Sequence, residues 1–96
     1  MTNQEYQDFC KKGLKPGSDF IVFMLGLGGE AGECLDLVKK SRRDQVPLDQ
    51  TRLVEELGDV CWYVANICNE LGISIDTVLE LNKKKLERRY HLWVMK

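Results

Sequence analysis

The chain has 96 residues, 44% of them hydrophobic and 30% charged, with a formal net charge of −1. That balance fits one folded domain, residues 1–96, and excludes a disordered chain. The near-neutral charge gives no field that would draw the protein to nucleic acid, and the apolar runs are too short and interrupted to span a bilayer.

A first helix is predicted from Asn3 to Lys12, with Thr2 and Glu5 as a capping box, and "KGLKPGSD" ends it. The opening "MTNQEYQDF" lacks the apolar block of a signal peptide, which fits a cytoplasmic protein. Ser18 or Asp19 caps a second helix that continues to about Arg43. This helix contains "LGLGGEAGECLDLVKK", a stretch with two liabilities. Each glycine weakens a helix by about 1 kcal/mol relative to alanine, and Glu30 and Glu33, three apart, share a face and repel. The apolar arc of Phe20, Phe23, Leu27, Cys34 and Val38 has Glu30 at its edge. Gly26 and Gly29 project on the side of the two acids, where they would open space for a ligand. Gly28 and Gly32 project elsewhere and read as sites of close helix packing. Asp36 reads as a surface charge.

The connection "DQVPLD" is short and holds Pro47, so the next helix is expected antiparallel to the second. Asp49 caps this third helix, which ends at Leu71 with Gly72 in position for a left-handed cap. Its arc is Leu53, Leu57, Val60, Val64, Ile67 and Leu71, with Glu56 at the margin and Asp59 three residues on. Glu55 and Trp62 project away from that arc. Ser74 caps a fourth helix from Ile75 to Tyr90 or beyond, on which Asn82, Lys85 and Arg89 share one face. Lys83, Lys84 and Arg88 read as solvated charges, and Trp93 lies in the tail. Apolar residues recur at three and four rather than two, so no strand is expected. The predicted fold is all-α, a four-helix bundle whose core a second copy completes.

Cysteines stand at 10, 34, 61 and 68, with no C-x-x-C pair and a single distant histidine, His91. A zinc site is therefore not expected. Cys34, Cys61 and Cys68 fall in apolar stripes and read as buried thiols in a reducing compartment.

Two neighbouring helices thus carry acidic pairs, Glu30/Glu33 and Glu56/Asp59, at matching offsets from their buried stripes. If the stripes face each other, the carboxylates converge at the margin of the core. Bare, such a cluster is costly, because like charges repel and burial removes their hydration. A hard divalent cation resolves the conflict, and all-oxygen ligands suit Mg²⁺, with Mn²⁺ as a substitute. The stripe of Asn82, Lys85 and Arg89 could hold phosphate oxygens.

At this point the motifs resemble a known family. "GGEAGECLDLVKK", then "EELGDVCWYVA", then "NKKKLERRY" are similar to the MazG-like nucleotide pyrophosphohydrolases of the all-α NTP pyrophosphatase superfamily. The resemblance covers roughly residues 25 to 90. It implies a homo-dimeric or homo-tetrameric enzyme that cleaves nucleoside triphosphates, often deoxynucleotides or noncanonical ones, between the α and β phosphates. It implies Mg²⁺ held by Glu30, Glu33, Glu56 and Asp59, with Glu33 or Glu56 as general base. Lys85 and Arg89 would contact phosphate, Asn82 would sit near the nucleotide, and Tyr63 would meet sugar or base. Lys39 and Lys40 match the basic end of the first motif helix, and Lys40 is taken as substrate-binding. The alternatives are a phosphoribosyl-ATP pyrophosphohydrolase-type enzyme and a non-catalytic helical interaction module. A nucleic-acid surface on the fourth helix is the weakest of the readings, because the basic run is short.

Overall fold

The computed structural model describes residues 1–94, and side chains as far as residue 91, so the Trp93 side chain lies outside the described part. Four helices follow in order: α1 (Asn3–Lys12), α2 (Phe20–Asp44), α3 (Gln50–Leu71) and α4 (Ile75–Val94). The all-α, four-helix architecture expected from the periodicity is therefore present.

Each boundary has a local cause. Thr2 Oγ1 accepts from the Glu5 amide at 3.0 Å, Asp19 Oδ1 from Val22 at 2.9 Å, and Asp49 Oδ1 from Arg52 at 3.1 Å. Each of these satisfies an amide that the first helical turn leaves without a partner. At the end of α3, Gly72 adopts φ 70°. The Ile73 amide then donates to the Cys68 carbonyl at 3.0 Å and the Gly72 amide to Asn69 at 3.2 Å, the paired bonds of a Schellman cap. The end of α2 turns the same way without glycine. Gln45 sits at φ 53°, and Ser41 Oγ donates to the Val46 carbonyl at 2.6 Å to hold the reversal.

The short connection makes α2 and α3 an antiparallel hairpin packed along its length, with α1 lying against α3. Beneath α1 runs a network of amides that the hydrophobic pattern does not reveal. Gln7 Nε2 donates to Asn69 Oδ1 (3.0 Å) and to the Ile73 carbonyl (2.8 Å), while its Oε1 accepts from the Ile75 amide at 2.8 Å. Asn69 Nδ2 donates to the Gln7 carbonyl and to Asn66 Oδ1, and Asn66 Nδ2 donates to the Cys10 carbonyl. Gln7 and Asn66 are fully buried. Ser74 caps α4 as expected, its Oγ accepting from the Asp76 amide at 3.2 Å, and Gln7 reinforces that cap from α1.

The core of one chain is small. Among the described residues, the fully buried apolar ones are Cys10, Phe23, Ala65 and Cys68. Of the arcs read from the sequence, Phe23 is buried, Leu27, Cys34, Leu53, Val60, Val64 and Ile67 are half-buried, and Phe20, Val38, Leu57 and Leu71 are exposed. The α3 face toward α1 carries Ala65, Asn66, Cys68 and Asn69, so two polar residues lie where an apolar arc would have excluded them. All four cysteines are free, but Cys61 is exposed and Cys34 only half-buried, which corrects the expectation that both are buried. Among the described residues, helix α4 meets α1 and α3 and makes no contact with α2. No helix among the described residues is long and apolar enough to cross a membrane.

Candidate metal centre

The hairpin of α2 and α3 decides where the acids meet. Phe23 packs against Trp62, Gly26 against Tyr63, and one turn further Glu30 comes level with Glu56 and Asp59. One carboxylate oxygen from each of these three acids lies within 4.8 Å of the others. Glu30 and Glu56 are half-buried and Asp59 is exposed, so the group opens outward from the margin of the core.

Glu30 is its centre. Its Oε2 is buried with no hydrogen-bond partner. Its pKa is pushed up to about 7, first by a hydrogen bond with Glu56, which two carboxylates can form only by holding a proton between them. Burial adds to this, followed by the charges of Asp59, Glu56 and Glu33. A buried acceptor without a donor, facing two more carboxylates, is the chemistry of a site built for a hard cation. Glu30, Glu56 and Asp59 fit such an ion.

The remaining residues singled out by the sequence are placed differently. Glu33 is exposed and stands outside the group of three, although its charge is felt at Glu30. Lys40 and Lys39 are engaged with Asp36 at 2.8 and 3.2 Å. Those two contacts hold the half-buried Asp36 below its ordinary pKa, so it is more than a solvated charge. Exposed pairs of this kind are weak, and Lys40 is easily released. Asn82, Lys85 and Arg89 are exposed on α4, which does not reach α2. None of the three lines the cavity beside the carboxylates. Lys83 and Lys84 lie 3.7 and 3.9 Å from Glu87 and Glu80.

An open cavity of about 310 Å³ adjoins the acids, lined by Glu30, Asp59, Trp62 and Tyr63. Its aromatic side is fixed by packing. A side chain at Gly26 would collide with the Tyr63 ring, so this glycine makes room for Tyr63 and not for a ligand, as the sequence had suggested. Trp62, expected to project from the core, is half-buried and lies edge-to-face with Phe23 (6.2 Å, 76°) and Tyr63 (5.0 Å, 84°). Gly28, Gly29 and Gly32 face open space within one chain, so Gly28 and Gly32 are not packing sites in the monomer.

The MazG nucleotide pyrophosphohydrolase domain matches residues 20–93 of this sequence. The chain belongs to the MazG nucleotide pyrophosphohydrolase family. The MazG match takes in all four acids and the basic face of α4, and leaves α1 and the loop after it outside. The chain is also similar to the Gene 37 protein of Mycobacterium phage L5, 46% identical over an alignment of 69 residues that covers 68% of this chain and 60% of that protein. The chain thus spans about three fifths of that relative's length. No solved structure matches.

Proposed function

We propose that this MazG-family chain is a divalent-metal-dependent nucleoside triphosphate pyrophosphohydrolase. It would cut (d)NTPs between the α and β phosphates to give a monophosphate and pyrophosphate, a housekeeping role in the nucleotide pool. The observation that carries this reading is Glu30, whose Oε2 is buried without a hydrogen-bond partner and which offers a carboxylate oxygen within 4.8 Å of those of Glu56 and Asp59. Residues 1–96 form the catalytic domain, and the four free thiols suit a reducing cytoplasm.

Mg²⁺, or Mn²⁺ in its place, would be held by Glu30, Glu56 and Asp59 with Glu33 beside them, and when bound it neutralises triphosphate charge and acidifies water. The chain's own groups do the rest. Either Glu33 or Glu56 takes the proton of the attacking water. Glu33 is the better candidate, because it lies outside the trio and its carboxylate is open to solvent. Tyr63 lines the cavity beside Glu30 and Asp59 and would orient the sugar. Lys85 and Arg89 would stabilise charge on the departing pyrophosphate, with Asn82 donating to a phosphate oxygen and Lys40 joining them once released from Asp36.

Because none of these residues lines the acid-side cavity and α4 does not meet α2, those cations would be supplied by a second copy in a homo-dimer or homo-tetramer. Two features support assembly. The chain exposes 7644 Å², against about 5,700 Å² for a compact monomer of its mass, and its radius of gyration is 16.5 Å against about 12.5 Å. Opposite the face that packs on α3, α2 presents Ile21, Leu25, Gly28, Gly32 and Leu35, all exposed. This is a seam of alternating three- and four-residue steps with space for a close helix at its middle.

The test is pyrophosphate release from a panel of canonical and damaged NTPs and dNTPs, with and without Mg²⁺. Monophosphate and pyrophosphate are the expected products, and Glu56→Gln should reduce turnover at least about a hundredfold. No cleavage of any nucleotide, or release of orthophosphate instead, overturns the reading.

A further inference from the structure

A second cavity, of about 230 Å³, lies on the other side of the aromatic pair. Trp62 and Tyr63 line both cavities, so the two share a wall. On the far side the lining includes Phe23, Lys15 and Ser18. Neither Phe23 nor Tyr63 lies parallel to the Trp62 indole, so neither stacks on it. Lys15 and Ser18 are the two ends of a tight turn, Lys15-Pro16-Gly17-Ser18, closed by the Ser18 amide donating to the Lys15 carbonyl at 3.2 Å. Gly17 at φ +87° and Pro16 before it satisfy the demands of a type II turn, which holds the two polar residues together. This turn lies outside residues 20–93, while Phe23, Trp62 and Tyr63 lie within them. The cavity therefore joins an aromatic side within the MazG-matched residues to a polar side that lies before them.

We propose that this cavity is the nucleobase subsite, and that Lys15 makes it selective for bases with a carbonyl oxygen over those with an amino group in the same place. The proposal rests on the reading of Glu30, Glu56 and Asp59 as the phosphate end of the site. A flat, apolar ring finds aromatic surface in Trp62 and Tyr63. A lysine ammonium donates three hydrogen bonds and accepts none. It matches the O4 of uracil or thymine and the O6 of guanine or hypoxanthine. It opposes the exocyclic amino group of cytosine or adenine, where two donors would meet. Ser18 both donates and accepts, so it adds affinity without choosing between them. With the phosphates at the carboxylates, a base in this cavity would lie against the same Trp62 and Tyr63 side chains that line the cavity beside the acids.

The test uses nucleosides, which carry no phosphate and need no metal. The Trp62 indole N–H resonance is followed in ¹H–¹⁵N spectra of the Trp93→Phe protein, in which Trp62 is the only tryptophan. Uridine and cytidine, then inosine and adenosine, are titrated in turn. Saturable shifts are expected, with the oxo member of each pair binding about tenfold more tightly, equivalent to about 1.4 kcal/mol. Lys15→Ala, an exposed loop substitution, should remove that preference while leaving the spectrum of a folded protein. Equal affinities within each pair, no saturable shift, or a preference that survives Lys15→Ala each overturns the proposal. Hydrolysis plays no part in this measurement. An enzyme active on nucleotides without oxo-base preference would sink the subsite alone, and base-selective binding by a protein that cleaves nothing would sink the hydrolase reading alone.

Discussion

Glu30 concentrates the physical tension of the molecule in one side chain. Its position on α2 is set by helix geometry, and its burial follows from the closeness of α2 to α3 where Gly26 meets Tyr63. Without a cation its carboxyl is held at about 7, above its ordinary value of 4.5. The folded protein then binds this proton more tightly than the unfolded chain does. The resulting stability is fully present below pH 4.5 and is lost as pH rises toward 7. In EDTA, the melting temperature should therefore fall between pH 5 and pH 8. Glu30→Gln should flatten that fall and raise the pH 8 value, while abolishing the Mn²⁺-induced rise in melting temperature. A metal-free profile unchanged by the substitution would show that Glu30 is not the strained group. Much of this was legible in the sequence, because E-x-x-E and E-x-x-D at the edges of two apolar arcs report which faces the acids occupy. The separation of Glu33 from the trio was not legible. It depends on the relative rotation and depth of α2 and α3, and a single helix projection does not contain that information.

Helix ends were readable where a single residue dictates the local hydrogen bonds. Asp19, Asp49 and Gly72 each act within one turn of the chain, so their signals survive without tertiary context. The interior of the α1–α3 contact was hidden for the opposite reason. Gln7, Asn66 and Asn69 are residue types that usually face water, and only partners more than fifty positions away make their burial tolerable. That network is satisfied as a unit, so removing one member exposes the others to the full cost of desolvation. Asn66→Leu would remove one donor from the Cys10 carbonyl, which keeps the Gly13 amide, and would leave one Asn69 N–H without its acceptor. It should destabilise the protein by about 2–4 kcal/mol, whereas Gln4→Ala, at an exposed hydrogen bond, should change stability by about 0.5 kcal/mol or less. Urea midpoints at one fixed protein concentration compare the two, because assembly would otherwise shift both. Equal effects would mean that the buried amides contribute no more than surface ones.

At the scale of the whole molecule, the proposed assembly rests on the surface that one chain leaves exposed. Its excess surface over a compact monomer, about 1,900 Å², is of the order that an obligate interface removes. Helix α2 carries apolar or small residues on two opposite faces, a pattern that belongs to a helix buried on both sides. Leu25 is 72% and Leu35 71% exposed, and both lie on the seam away from α3. In the assembly we propose, each site takes its acids from one copy and Lys85 and Arg89 from the other. Such sharing has a specific signature. Glu56→Gln and Arg89→Ala should each be nearly inactive alone. In their mixed dimer one site carries both defects and the other carries neither. After subunit exchange at equal concentrations, half of the dimers are mixed, and activity should return to about a quarter of the unmodified level. Leu25→Glu places a charge on the seam and should yield a monomer by sedimentation equilibrium, and introducing it into both partners should abolish the recovery. If the two inactive variants regain nothing although sedimentation shows that they exchange, the acids and the cations act within one chain. In that case α4 would have to swing across its own α2, and the seam would serve stability alone.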